Sequence, residues 1–299
     1  MIRLAASALA TIWLAATLAF FALRVLPGDA VTTQLRESGV SAEMITSRRT
    51  ALGLDDPVVV QYVRFLGGLA RGELGVSLQD GRPVSEIILQ QFIPTLTLTV
   101  SALLISITLG ITLGALAALE QPLIALSRLS FLARLILDLS LSVPLYWTGT
   151  LAIYFVTVLA IQGLPASGIV LPTLVLGFSG AGAIGQLVRA SVSETLGQDF
   201  VRTARAKGLS ETKIVFYHVM RAGLIPVVTA IGLQAGFLLG GVVITESLFV
   251  RPGIGRVLLN ATLRQDYPVV QGIVIFGAIV YIVVNFAADL LYRLFDPRV

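Results

Sequence analysis

Apolar and polar stretches alternate along this chain in blocks of membrane-spanning length. Apolar runs cover 1–26, broken only by Arg3 and Arg24, then 92–119, 131–161, 172–192, 223–244 and 266–291. A helix needs about 20 apolar residues to cross the hydrocarbon core, so the pattern predicts an all-α integral membrane protein with six transmembrane helices. Residues 27–91 are mixed, with acidic residues slightly outnumbering basic ones, and read as a helical extracytoplasmic insertion after the first helix. The chain thus divides into a first transmembrane helix (1–26), the insertion (27–91) and a five-helix core (92–299). The first run resembles a signal peptide in its Arg3 and early alanines. Its apolar core is too long for one, and no small-residue cleavage site precedes Pro27.

Composition agrees. Hydrophobic residues make up 56% of the 299, charged residues 13%, and the mean hydropathy is +0.90; a soluble domain carries about 25% charge. With no cysteine, disulfides and thiolate metal sites are excluded. The net charge of +4 is small and dispersed, which gives no basis for nucleic-acid binding and suits lipid headgroups or a protein partner. Lys and Arg concentrate in the loops that six spans place on one side (Arg128, Arg134, Arg189, Arg202, Arg205, Lys207, Lys213, Arg221), against Arg251, Arg256 and Arg264 in the short loops of the other. The positive-inside rule then sets both termini in the cytoplasm.

One polar interval stands out, 194–222, between the fourth and fifth runs. Its first half, 194–207, suits a helix; Gly208 can end that helix in a left-handed conformation with Leu209 packing back, and Ser210 can cap a second short helix. Composition alone leaves two readings open, a loop that sets topology or binds acidic lipid, and a loop that docks a partner.

Residues for chemistry are few. The chain has no GxxxxGK[ST] loop, no HExxH, no Gly-x-Ser-x-Gly and one histidine, His218, best read as a satisfied interfacial side chain. It is therefore expected neither to hydrolyse ATP nor to act as an enzyme. Polar groups at membrane depth usually face a cavity, which makes Asp138, Gln234 and Glu246 candidates for a translocation path. Asp138 could instead pair with Arg134 one turn earlier, and Glu246 with Arg251 or Arg256. Asn285 and Asp289 read as packing or headgroup residues. Gly110 with Gly114 forms a small-xxx-small pair; Gly177, Gly180, Gly182 and Gly185, and Gly232, Gly236, Gly240 and Gly241, suit close helix contact. Pro144 should kink the third span.

Residues 197–209, Gly-Gln-Asp-Phe-Val-Arg-Thr-Ala-Arg-Ala-Lys-Gly-Leu, resemble almost residue for residue the cytoplasmic coupling loop of permease subunits in ATP-binding-cassette importers, in the dipeptide, oligopeptide and nickel branch. Leu26-Pro27-Gly28-Asp29, Leu52-Gly53-Leu54-Asp55-Asp56-Pro57, Gly72-Glu73-Leu74-Gly75-Val76-Ser77, Asp266-Tyr267-Pro268 and the tail Asp296-Pro297-Arg298 extend the resemblance to nearly the whole chain. Three departures stand out: Arg202-Thr203-Ala204 replaces the general Glu-Ala-Ala, Arg251 replaces the usual tryptophan before Pro252-Gly253, and the outer loop near 162–171 is short. The resemblance implies a type I importer permease fold that imports di- or oligopeptides, with nickel or a metal chelate as the alternative. It also implies a second related permease as partner, two ATP-binding subunits that hold ATP and Mg, and an extracytoplasmic substrate-binding protein. Arg202, Ala204, Arg205, Lys207, Gly208 and Leu209 would couple the chain to the ATPases. The competing class is an ion-gradient-driven transporter, for which inverted repeats and paired buried charges are the expected marks.

Overall fold

The computed structural model describes the backbone of residues 2–25, 42–51, 53–119, 124–158 and 168–295. It is helical, with one isolated bridge between Val76 and Pro83. In chain order the helices are α1 (Ile2–Val25), α2 (Ala42–Ala51), α3 (Val58–Ala70), α4 (Val84–Ala118), α5 (Ile124–Ser142), α6 (Leu145–Val158), α7 (Val170–Leu196) and α8 (Asp199–Ala206). There follow α9 (Glu211–Lys213), a π-helical segment (Ile214–Val219), α10 (Met220–Gly223), α11 (Ile225–Leu248), α12 (Ile254–Leu263) and α13 (Tyr267–Phe295).

Five of these are long and apolar enough to cross a membrane, and α5 with α6 makes a sixth span if the pair is counted as one. That pair is bent by 109°, so Pro144 breaks the third span rather than kinking it. Proline lacks the N–H that would continue the ladder and forces the residue before it out of the helical region. Val143 N–H still closes on Leu139 O, and α6 restarts with Thr148 N–H on Pro144 O. The second span starts at Val84, ahead of the expected 92, because Glu86 and Gln90 lie on the exposed side of a helix whose Val84, Ile87 and Ile88 are buried. Leu26 to Asp29, Leu164 to Ser167 and the tail Asp296 to Arg298 fall outside the described residues, as do the side chain of Asp289 and those near it.

The chain forms two compact units. The first comprises residues 1–95 and 252–282. Its core joins Leu23 of α1, Val84, Ile87 and Ile88 of α4, Ala261 of α12, and Val269, Val270 and Ile273 of α13. Beside it, Phe20 stacks on Phe65 at 5.4 Å between centroids, and Thr17 and Tyr62 share a 2.8 Å hydrogen bond. Two of the sequence motifs meet here. The carboxylate of Asp266, 2% exposed, accepts from Ser77 Oγ at 2.5 Å and from Leu78 N–H at 3.1 Å. Ser77 Oγ in turn accepts from Gln79 and Asp80 N–H. Asp266→Ala should therefore orphan a buried hydroxyl and an amide and destabilise the unit by about 2 kcal/mol. Thermal melting of the purified protein checks this, and an unchanged midpoint would show the contact to be idle.

The second unit comprises 96–251 and 283–299. Its centre is α7, whose glycines let α4 and α5 approach. A Cβ built at Gly177 would lie 2.7 Å from Ile105 Cγ2, and one at Gly182 would lie 3.1 Å from Leu137 O. Ser106 Oγ donates to Gly177 O at 2.8 Å. Ser140 Oγ inserts into the α7 ladder, donating to Phe178 O at 2.6 Å and accepting from Gly182 N–H at 3.0 Å. The expectation of close contact fails at Gly240, where an added Cβ would meet no neighbouring helix of the described residues within 4 Å.

Several helices end in the same turn, in which the residue after the cap takes positive φ and two backstepping amide bonds close it. Glycine fills that position at Gly72 and Gly208, with φ of 79° and 77°. After α11 and α12 it is filled by Val250 and Gln265, at φ of 53° and 56°. Arg251 N–H reaches Glu246 O at 2.8 Å and Asp266 N–H reaches Ala261 O at 2.8 Å. A β-branched residue at positive φ carries about 1–2 kcal/mol of strain, part of which is offset by the unfolded-state entropy a glycine would add. Val250→Gly is expected to raise stability by about 0.5–1 kcal/mol, read as a higher melting midpoint; a lower one would count against the strain.

Candidate functional site

The polar segment between α7 and α11 was read as one helix, 194–207, followed by a capped second one. Instead α7 stops at Leu196, where Gly197 and Gln198 N–H close on Glu194 and Thr195 O, and α8 begins afresh at Asp199. Asp199 in its first turn and Arg205 in its last match the helix dipole. Val201 and Ala204, one turn apart, are buried at 0% and 7% exposure. They pack with Ile214 and Val219 into a cluster shared with Ile184, Val188 and Val192 of α7, Val227 of α11 and Ala118 of α4. The segment is thereby built into the bases of three long helices.

At its bend the prediction is met closely. Gly208 N–H donates to Arg205 O at 2.9 Å and Leu209 N–H to Ala204 O at 3.3 Å, with Gly208 left-handed. Ser210 stands at the start of α9 with extended dihedrals, but its side chain makes no capping bond. Its carbonyl accepts from Ile214 N–H instead. The bend is instead held by an ion pair that the sequence pattern does not announce. Arg205 Nε and Nη2 grip Glu211 at 2.7 and 3.1 Å, tying the two sides of the bend together. Each group holds the other charged: the hydrogen bond from Arg205 lowers the Glu211 carboxyl below its ordinary value, and the same bond raises Arg205. A lowered carboxyl stabilises above its unfolded value and loses that contribution as pH falls through its folded one. The tie should therefore loosen below the ordinary glutamate value of 4.5. Exposed on both sides, it contributes about 0–1 kcal/mol and is screened by salt.

The outward side of the segment carries Arg202, Arg205 and Lys207 together with exposed apolar groups: Phe200, Leu209, Phe216 and Tyr217, the last two 67% and 75% exposed. Arg202 reaches only Asp199, at 3.6 Å, with both side chains in solvent. Exposed apolar groups rimmed by charge occur at protein and membrane interaction sites. Phe216 and Tyr217 were missed by the sequence reading, which attended to the basic residues. Their signal was two adjacent aromatics inside a polar interval. Ile214–Val219 is π-helical, a form that concentrates at functional positions. His218 lies here, exposed.

The three intramembrane candidates are not brought together. Asp138, on α5, is exposed, and its Oδ1 accepts from Gln186 Nε2 of α7 at 2.6 Å. It does not pair with Arg134, whose Nε donates to Ala117 O at 3.2 Å. Gln234 of α11 is half-buried against Gly180, where an added Cβ would come within 2.8 Å of its Nε2. Glu246 is fully buried at the end of α11. Among the described residues no hydrogen bond joins any two of the three.

Apolar spans packed on glycine contacts, with a basic hinged segment built into the bases of three of the helices, define a polytopic membrane protein. Comparison places it further. Residues 110–299 match the family described as binding-protein-dependent transport system inner membrane component, and residues 1–99 its N-terminal membrane component. The chain is 36% identical over 319 residues to the di/tripeptide transport system permease protein DppB of Pseudomonas aeruginosa, covering 94% of this chain and 93% of that one. It is 35% identical over 298 residues to the glutathione transport system permease protein GsiC of Salmonella paratyphi A, covering 97% and 94%. In fold it is similar to the inward-facing MetNI methionine ABC transporter, at a TM-score of 0.61 and 19% identity over 70% of this chain and 96% of that one. The chain belongs to the family of binding-protein-dependent ABC importer permeases, as a multi-pass subunit of the inner membrane. The ion-gradient alternative falls with that result.

Proposed function

We propose that this subunit forms part of the translocation path for di- or oligopeptides, coupled to partner ATPases through residues 197–222. The observation that carries the coupling role is the shared core. Val201, Ala204, Ile214 and Val219 are buried with residues of α4, α7 and α11, so a push on the segment reaches those helices as a body. Arg202, Arg205, Lys207 and Leu209 would meet the ATPase, Ala204 anchors the segment, and Gly208 sets its bend. ATP and Mg would be held by the ATPases, whose dimerisation biases a two-state opening of the path. Asp138, Gln234 and Glu246 remain the proposed polar residues of the path. Peptide is the favoured cargo because the similar permeases carry peptide and glutathione names. A second related permease, two ATPases, an extracytoplasmic binding protein and surrounding lipid complete the proposed assembly, with both termini cytoplasmic.

The natural absence of cysteine makes the test direct. Leu209→Cys should cross-link to the ATPase in the assembled complex and react with thiol reagents only from the cytoplasmic side. A control at Val59→Cys, on α3, should do neither. Cross-linking at Val59 and none at Leu209 would reverse both the docking assignment and the orientation.

A further inference from the structure

The apolar stretch of α1 ends at Arg24, so this side chain stands where a spanning helix leaves the hydrocarbon for the headgroups. Its guanidinium carbon lies 3.5 Å from the Phe20 ring centroid. Nη1 donates to Phe20 O at 3.1 Å and Nη2 to Gln61 Oε1 at 2.6 Å. Gln61 cannot turn away, because its Nε2 donates to Leu54 O at 3.1 Å and Asp56 O at 2.9 Å. The guanidinium is thus clamped between a ring and an amide. Of its five N–H groups, two have acceptors, and no carboxylate of the described residues pairs with it.

Beside Arg24 lies a cavity of about 430 Å³, lined among others by Phe20, Phe65, Arg64, Arg71 and Gln271. That volume falls in the range of about 300–1,000 Å³ common to small-ligand sites. Arg64 and Arg71 are each matched by a carboxylate, Asp56 at 2.7 Å and Glu73 at 3.3 Å. Among the described residues Arg24 has no such carboxylate, so this wall keeps one positive charge that they leave unmatched. A half-buried, pre-positioned arginine with spare donors fits the fork geometry of a phosphate. We propose that the cavity binds the headgroup of an anionic phospholipid, with the phosphate on Arg24 and the glycerol region against Phe20 and Phe65. Free phosphate shares that chemistry; the depth of Arg24 and the aromatic wall favour the lipid.

Native mass spectrometry of the detergent-purified transporter complex tests this, titrated separately with phosphatidylglycerol, phosphatidylcholine and inorganic phosphate. The wild type is expected to retain one more phosphatidylglycerol per copy of this chain than Arg24→Gln, with Arg24→Lys keeping it and phosphatidylcholine held several-fold less well. Arg71→Gln alters only the exposed far wall. It should weaken retention several-fold at an unchanged melting midpoint, and it decides alone if Arg24→Gln fails to fold. Equal retention in wild type and these variants would overturn the proposal, as would equal retention of the two lipids. Displacement of the lipid by inorganic phosphate at low millimolar concentration would assign the site to soluble phosphate instead.

Discussion

Gly208→Val is expected to cut peptide uptake about tenfold while the complex assembles and hydrolyses ATP nearly as before. The reason is conformational, since a Cβ at Gly208 would meet nothing within 4 Å. What valine cannot do cheaply is hold φ at +77°, a conformation that costs an L-residue about 1–2 kcal/mol. That cost is a factor of about 5–30 against the native turn, and it falls on the bend that joins Ala204 to Ile214 through the core. With the bend relaxed, α8 can follow the ATPase without carrying α7 and α11 along. Gly208→Asn is the control, because asparagine tolerates the left-handed region. It should restore uptake if φ matters and fail to do so if side-chain bulk matters. Measuring uptake and hydrolysis together in proteoliposomes decides it; normal coupling in the valine variant would remove Gly208 from the mechanism.

The second large effect concerns stability. A Cβ at Gly114 would sit 2.5 Å from Gly185 O and 2.7 Å from Val188 Cβ, and one at Gly110 would sit 2.7 Å from Ile184 Cγ2. The obstacle at Gly114 is backbone, which cannot rotate aside, so the helices α4 and α7 must part. Gly114→Val should cost about 3 kcal/mol, the upper end for overpacking, and appear as a sharp fall in yield and melting midpoint. Gly240→Ala, facing open space within this chain, should leave the midpoint unchanged or raise it, given alanine's advantage of about 1 kcal/mol in a helix. Equal behaviour of the two variants would contradict the packing account.

The spans and the Gly208 turn were legible because they rest on local signals, apolar length and a glycine at a helix end. Helix α12 is legible too, although the interval between the fifth and sixth apolar runs reads at first as a short outer loop. Ile254, Val257, Leu258 and Ala261 follow the spacing of one buried helix face. Its first amide, Ile254 N–H, is capped by Thr95 Oγ1 at 2.8 Å, a contact 159 residues away that no local pattern announces. A similar distance in sequence hid the Ser77–Asp266 bond, which joins a motif of the insertion to the one that opens the sixth span. Val250 and Gln265 could not be foreseen, since neither residue type signals positive φ. Asp138 shows the limit for the candidate path. The sequence offered the neighbour Arg134 on its own helix, and tertiary packing supplied Gln186 of α7 instead.

The measurement closest to the central claim is ATP hydrolysis by the reconstituted complex, assembled with the proposed second permease and the ATPases. The binding protein is added empty, loaded with a di- or tripeptide, or loaded with a nickel chelate. The account predicts stimulation by the peptide-loaded form, with the empty and nickel-loaded forms near the basal rate. Stimulation by the nickel chelate alone, or by neither loaded form in an intact complex, would contradict it.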